Sequence, residues 1–336
     1  MDAAHDPQTR ARLSVGFILA HRFTLSAFAN FVDVLRLAAD EGDRSRPILC
    51  SWRVLSADMD RVASSCGVSV QPDERLGDPR RFDYVVVVGG LIDASATLAP
   101  AYMRYLGRAA EAGVPLVGVC TGAFILCRAQ LMKGYRCCVS WFHHDDFLEQ
   151  FNGMQPVADQ IFVVDRDRLT CSGGVSSAHL AAYLVDRHVG RAQAGKSLRI
   201  MIIENAMSAE NPQPGLPLEL TTPDALVKRA LLLMQQSMEA PLSVGRLALR
   251  LGIGRRKLER HFRDALNLTP AQADKVVRIE HAKLLLTSSG RSITQIANDA
   301  GFCDVSHFIR VFRQREGGTP EAYRKRVRAM PEPSHA

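Results

Sequence analysis

Between residues 243 and 320 a half of the sequence is written twice. Val244, Leu247, Ala248 and Gly252 recur as Ile293, Ile296, Ala297 and Gly301, 49 residues further on. Leu258, Phe262 and Pro270 recur as Phe308, Phe312 and Pro320, 50 residues further on. The copies therefore differ by one inserted residue, which the alignment places in the turn after the glycine. A repeat of this length is a supersecondary unit that buries its apolar face against a neighbour. Each copy predicts a short apolar helix, a turn at glycine and a second helix, over 243–266 and 292–316.

In the second helix of the first copy, Leu258, Phe262, Ala265 and Leu266 follow helical spacing and predict a buried stripe. Arg256, Glu259, Arg260 and Arg263 form another stripe that is polar and mostly cationic. Such a helix can pack on one side and present guanidinium forks to the guanine edge and to phosphates. Two units on one chain would set two such helices in successive major grooves, roughly 34 Å apart. On this reading Arg256, Glu259 and Arg260 address base edges, while Arg255, Lys257 and Arg263 address phosphate. In the second copy Asp304, Val305, Ser306 and Ile309 face the groove, with Arg310 near phosphate or base. That set carries less charge, so its readout leans on thymine methyls and DNA shape. Two amphipathic hairpins with solvated basic faces would share much of this pattern, and Arg310 also suits an internal salt bridge.

Residues 243–326 resemble the DNA-binding domain of AraC-type transcription regulators. The resemblance is carried by Leu247-Ala248, Gly252, Leu258, Arg260 and Phe262, and by Arg278-Ile-Glu-His-Ala-Lys-Leu-Leu285. It continues through Ile293-Thr-Gln-Ile-Ala297, Gly301-Phe302, Ser306-His307-Phe308, Arg310-Val-Phe312, Thr319-Pro320, Tyr323 and Arg324. Gly254 departs from the family, which often has serine there; glycine caps a helix almost as well.

Charge divides the chain. From Thr221 onward there are 20 Lys and Arg against 11 Asp and Glu; the remainder holds 22 against 24, within a net charge of +7. A basic domain joined to a near-neutral one suggests a polyanion binder carrying a separate module. At 336 residues and 47% hydrophobic content, two domains with real cores are expected. The expected boundaries are 13–207, a linker over 208–223 with Pro212, Pro214, Gly215, Pro217 and Pro223, and 224–328. The eight cysteines include no Cys-x-x-Cys pair and no metal-ligand spacing. Residues 1–12 are polar, unlike a signal peptide. No apolar run approaches the ~20 residues that span a bilayer, so a cytoplasmic protein with reduced thiols is expected.

The front of the chain alternates strand and helix signals. Strands are expected over 13–19, 52–55, 68–70, 82–88 and 114–119, helices over 28–39, 101–112 and 124–131, then a β-hairpin over 160–172 and helices over 175–188 and 194–207. The apolar run 82–88 suits a strand covered on both faces, hence a parallel sheet. The expected fold class is a doubly wound, mostly parallel α/β sheet followed by an all-α domain with two helix-turn-helix units. Ligands in such sheets sit at the carboxyl ends of strands. There, Gly118-Val-Cys120-Thr-Gly122 has the form of a nucleophile elbow, in which a helix start favours thiolate. A cysteine that merely packs as a small hydrophobe fits the local pattern equally well.

Residues 13–190 resemble the class I glutamine-amidotransferase and PfpI-like superfamily, flavodoxin-like in fold. The similarity rests on 85–90, on Val117-Gly-Val-Cys120-Thr-Gly-Ala123, on Leu131-Met-Lys-Gly-Tyr135 with Trp141, and on Thr170-Cys-Ser-Gly-Gly174. With the C-terminal resemblance it points to the amidase-like branch of AraC-type regulators. A working thiol in that superfamily needs a histidine base and often a carboxylate from an early loop. Ser140 stands where this branch commonly has histidine, and no glutamate occurs between Phe17 and Val32. The expectation is a retired active site kept as a pocket lined by Gly89, Gly90, Cys120, Trp141 and Gly174, with no catalytic residue and no cofactor. His143-His144-Asp145-Asp146 is read as a polar helix start rather than a metal site, since adjacent helical residues splay apart.

The resemblance implies a sequence-specific regulator of transcription, an activator of a catabolic operon, that binds duplex DNA, a small-molecule effector and RNA polymerase and forms a homodimer. A thiol-dependent hydrolase or amidase fused to a DNA-binding domain is the competing class. An architectural DNA-bending protein would leave the large α/β domain without a role.

Overall fold

The computed structural model describes residues 11–92, 98–215, 219–238 and 240–328. The reading of residues 1–12 as no signal peptide falls largely outside them, as does Pro217 of the expected linker. The chain divides into two compact units, Met1–Gln213 and Pro214–Ala336.

The first unit is built on a seven-stranded sheet. Its strands are β1 (Leu13–Leu19), β2 (Cys50–Ser56), β3 (Glu74–Arg75), β4 (Tyr84–Val88), β5 (Leu116–Val119), β6 (Phe162–Asp165) and β7 (Arg168–Cys171). Their order is β6-β7-β5-β4-β1-β2-β3, parallel throughout except for the β6–β7 hairpin. Helices α1 (Leu25–Ala38), α2 (Pro100–Glu111), α3 (Gly122–Arg128), α4 (His144–Gln150), α5 (Ser176–His188) and α6 (Arg191–Ile200) complete it. Successive side chains of a strand point to opposite faces, and the sheet sorts them accordingly. Phe17, Val86, Val88 and Val117 enter one core with α1, α5 and α6. Ile18, Val85, Val87 and Leu116 enter the other with α2 and α3. A run such as Tyr84–Val88, buried at every residue, is what a central parallel strand requires.

The expected last helix of this unit stops seven residues early. Ile202 adopts φ +62, and Ile203 N–H donates to Leu198 O at 2.9 Å. This is a Schellman end made with isoleucine where glycine is usual, so no residue type announced it.

The second unit is helical: α7 (Ala225–Gln235), α8 (Val244–Arg250), α9 (Arg255–Leu266), α10 (Pro270–Ser288), α11 (Ile293–Asp299), α12 (Val305–Glu316) and α13 (Pro320–Arg328). Helix α10 is the spine, 19 residues long, about 28 Å. Its stripe Val276, Ile279, Ala282 and Leu286 is buried. Ala273 and Val277 pack with α7, α8 and α9, while Ile279, Ala282 and Leu286 pack with α11 and α12.

Candidate nucleic-acid interface and thiol elbow

The duplication is a duplication of bonds. Ser243 and Ser292 cap α8 and α11 through side-chain oxygens that accept from Arg246 N and Gln295 N. Gly252 and Gly301 turn at φ +71 and +74, a left-handed conformation that favours glycine. Ile253 N donates to Ala248 O, and Phe302 N to Ala297 O. The reading helices also end alike, at Asn267 and Gly317, 50 residues apart and both left-handed. The extra residue of the second copy lies in the turn, where Asp304 caps α12 by accepting from Ser306 N at 3.1 Å and His307 N at 2.9 Å. Gly254 starts α9 without a side-chain cap.

On α9, Leu258 and Phe262 are buried, while Arg255, Arg256, Lys257, Arg260 and Arg263 are exposed. Glu259 is half-buried and pairs with Arg255 at 2.8 Å. On α12, Phe308 and Phe312 are buried, Ser306 and Arg310 exposed, and Val305 and Ile309 rest partly on the core. Among the described residues Arg256, Lys257, Arg260, Arg263 and Arg310 form no ion pair. An unpaired guanidinium on an exposed helix face is free to meet a phosphate or a base edge. A shallow depression on α12 is lined by Ser306, Ile309, Arg310, Arg313 and Gln314. The sequence reading passed over the last two, although Arg313 lies 50 residues after Arg263 and is its counterpart.

The first head is tied back by its reading helix. His261 Nδ1 lies 2.7 Å from Asp224 Oδ2, and Asp224 also caps α7 through Leu226 N and Val227 N. Burial pushes the Asp224 carboxyl up, but the His261 ring and the Val227 and Leu226 amides more than reverse this, leaving it below the usual carboxylate range. Asp224→Ala is therefore expected to lower stability by about 1–2 kcal/mol, measured by urea unfolding at neutral pH. A carboxyl with a depressed folded pKa stabilises fully above its unfolded value, about pH 4, and loses that contribution as pH falls through the folded one. The wild-type and variant midpoints should converge in acid.

In the first unit the strand tip, the start of α1 and the loop after β7 converge on Cys120. This residue sits at φ +57, the strained corner of an elbow. Its N–H donates to Cys171 O, and its Sγ lies 3.4 Å from Thr24 Oγ1. Thr24 begins α1 without capping it, because its hydroxyl is turned to the thiol. Burial pushes the Cys120 thiol up, and the hydrogen bonds from Thr24 and the Thr121 amide only partly oppose this. Desolvation thus outweighs the pull of the helix start toward thiolate. No histidine is hydrogen-bonded to Cys120 among the described residues. His143 pairs with Asp146 at 2.7 Å and His144 with Asp145 at 2.8 Å.

The five expected pocket residues fare differently. Gly89 faces the backbone of Thr121 and Gly122, and Gly90 faces Arg22 O, where a Cβ would collide. Their missing side chains let the Thr121–Gly122 and Arg22 backbone approach closely. Gly174 opens onto free space, whereas a Cβ on Gly173 would lie 2.8 Å from Cys120 Cβ. Trp141 is half-buried; its backbone N–H donates to Gln213 Oε1 at 2.8 Å and its ring meets Phe142 edge-on. Among the described residues no hydrogen bond joins Trp141 to Cys120. Elsewhere, a cleft of about 850 Å³ runs beside β6, α5 and α6, with Phe162, His179, Tyr183, Leu198, Arg199 and Met207 in its wall. Burial pushes the His179 imidazole pKa down, and its Nδ1 accepts from Met207 N at 3.2 Å. No helix among the described residues is long and apolar enough to cross a membrane.

Residues 14–186 match the DJ-1/PfpI family, and residues 247–326 match a helix-turn-helix domain family. The HTH-type transcriptional regulator GbdR of Pseudomonas aeruginosa is 30% identical over 95% of this chain and 86% of its own length. CdhR of the same species, also an HTH-type transcriptional regulator, is 32% identical over 90% of this chain and 89% of its own. GlxA of Rhizobium meliloti is 27% identical over 97% of this chain and 99% of its own. The crystal structure of an AraC family transcriptional regulator from Pseudomonas putida covers 56% of this chain and 99% of its own, at 28% identity and a TM-score of 0.49.

Proposed function

Since this chain belongs to the DJ-1/PfpI family and, within it, to the regulators that end in an AraC-type helix-turn-helix domain, we propose that its front unit senses a small metabolite and its rear unit delivers the response at a promoter. The protein is a DNA-binding transcription regulator. The observation that carries the finer reading is the pair of matched heads, each with unpaired arginine on its exposed face.

Arg256 and Arg260 read base edges on α9, and Arg255, Lys257 and Arg263 hold phosphate. Glu259 reaches cytosine only when its pair with Arg255 opens. On α12, Ser306, Val305 and Ile309 meet the groove with Arg310 beside them, and Asp304 acts by fixing the helix start. The sensing region is 13–207, the linker 208–223 and the DNA-binding region 224–328. The protein works in the cytoplasm as a homodimer and activates a catabolic operon through contact with RNA polymerase. In vitro selection with the full chain tests the core of this reading. Failure to enrich any duplex over random sequence at physiological salt would overturn it.

The front unit is a retired member of its fold, without a catalytic residue. A raised thiol pKa, a threonine in place of a base at Cys120 and regulators among the relatives support this. Cys120→Ala is expected to leave the transcriptional response within about twofold of wild type, because it removes one small side chain and its single contact to Thr24. If it abolishes both a measurable hydrolysis and induction, the thiol-hydrolase reading replaces this one. The effector occupies the rim of the elbow, near Cys120, Gly174 and Trp141, with Gly89 and Gly90 shaping its floor. The cleft beside α5 and α6 is a second location, favoured by a size suited to small ligands and by Met207, whose segment leads into the linker. Loss of a ligand-induced melting shift in Tyr183→Ala but not in Trp141→Ala selects the cleft; the reverse selects the elbow.

A further inference from the structure

We infer that Arg278 is the positioning residue that locks the second reading helix to the spine, and so sets the spacing at which the two heads meet DNA. This rests on the reading of α9 and α12 as the helices that enter the grooves, and adds what holds one of them at its angle.

Arg278 projects from α10 and is 5% exposed. Its Nε donates to Asp274 Oδ2 at 2.7 Å, and its Nη2 approaches Oδ1 at 3.4 Å. Its Nη1 donates to Gly301 O at 2.7 Å and Ala300 O at 3.3 Å. Those two carbonyls are the end of α11 and the turn glycine, the pivot on which α12 swings. A guanidinium is planar and offers donors in fixed directions, so one fork aimed by a carboxylate on its own helix dictates where the turn lies. Met238 O closes the other side: a Cβ on Gly301 would strike both Arg278 Nη1 and Met238 O.

Among the described residues the first head has no such lock. Gly252 has the same backbone conformation, yet beyond its chain neighbours no described atom lies within 4 Å of the place its Cβ would take. That head is held through its reading helix, by the His261–Asp224 pair. The duplicated motif is thus anchored in two ways, at the turn in one copy and at the reading helix in the other. With the turn clamped to α10, α12 keeps one orientation relative to the spine that also carries the first head. Without the clamp, α12 can pivot and the distance between the two heads is no longer single-valued.

The test uses the full-length protein and a duplex enriched by in vitro selection with wild type, together with versions carrying one or two base pairs added or removed between the half-sites. Arg256→Ala and Arg310→Ala identify which half belongs to α9 and which to α12. Arg278→Met is expected to keep the α9 footprint, lose the α12 footprint and bind about 10- to 100-fold more weakly, the value of one or two base contacts. Its preference for the original spacing over shifted duplexes should flatten. Arg278→Lys, a point donor that still reaches Gly301 O, should recover part of the α12 footprint. Far-UV circular dichroism checks that the helices persist. Should Arg278→Met lose them, Asp274→Asn, which keeps the arginine but not the carboxylate that aims it, carries the same readouts. Unchanged footprint and spacing preference, or equal weakening of both halves, would overturn the assignment. If wild type enriches no duplex, it is the DNA-reading function that fails, a result distinct from these.

Discussion

Gly301→Ala is expected to destabilise the C-terminal unit by about 3–5 kcal/mol, against only about 1–2 for Gly252→Ala. Both glycines sit in the left-handed region, at φ +74 and +71, so both substitutions carry the cost of placing an L side chain there. The difference is what the new methyl group meets. At Gly252 it meets open space; at Gly301 it meets the Arg278 fork and the Met238 carbonyl. The carbonyl is backbone and cannot rotate away, so α11 and its turn must shift. Urea unfolding followed by circular dichroism measures the two costs. Hydrogen exchange at α11 and α12 amides should rise in Gly301→Ala, with α8 and α9 still protected. Equal costs at the two glycines would mean that the turn of the second head is not clamped.

The second large effect is on binding. Arg256→Ala combined with Arg260→Ala should weaken binding to a selected duplex by about 10²- to 10⁴-fold, taking 1–3 kcal/mol for each bidentate base contact. Both side chains are exposed and neither makes an ion pair among the described residues, so the fold should be unaffected. Binding to random duplex should fall far less, because phosphate contacts by Arg255, Lys257 and Arg263 remain. Titrations at several salt concentrations separate the outcomes. If the two arginines touch only phosphate, the loss is the same on both duplexes and the salt slope falls by about two.

Much of the molecule was legible because its signals are periodic or repeated. Tyr84–Val88 is apolar at every position, and only a strand covered on both faces accepts that. Leu258 and Phe262 lie one helical turn apart and their counterparts Phe308 and Phe312 recur 50 residues on, so the buried face of each reading helix could be drawn before the chain was folded. The elbow at Cys120 was visible as a strand, a thiol and a glycine-started helix. Other features were local but ambiguous. The sequence places Asp304 among the groups facing the groove, and the fold gives both its oxygens to the start of α12. Ile202 ends α6 in a conformation that residue type argues against.

The sequence alone determined the two-headed architecture, the central parallel strands, the faces that pack and the charge of the rear unit, because each depends on residue type and spacing along a single element. Only the tertiary structure decided that Thr24, 96 residues away, turns its hydroxyl to Cys120, that the backbone of Thr121, Gly122 and Arg22 packs against Gly89 and Gly90, and that, among the described residues, Gly301 but not Gly252 is held by an arginine. A glycine or a thiol prescribes its own dihedral angles and chemistry. Which distant backbone or side chain fills the space beside it is set by how whole elements dock, and no local pattern encodes that.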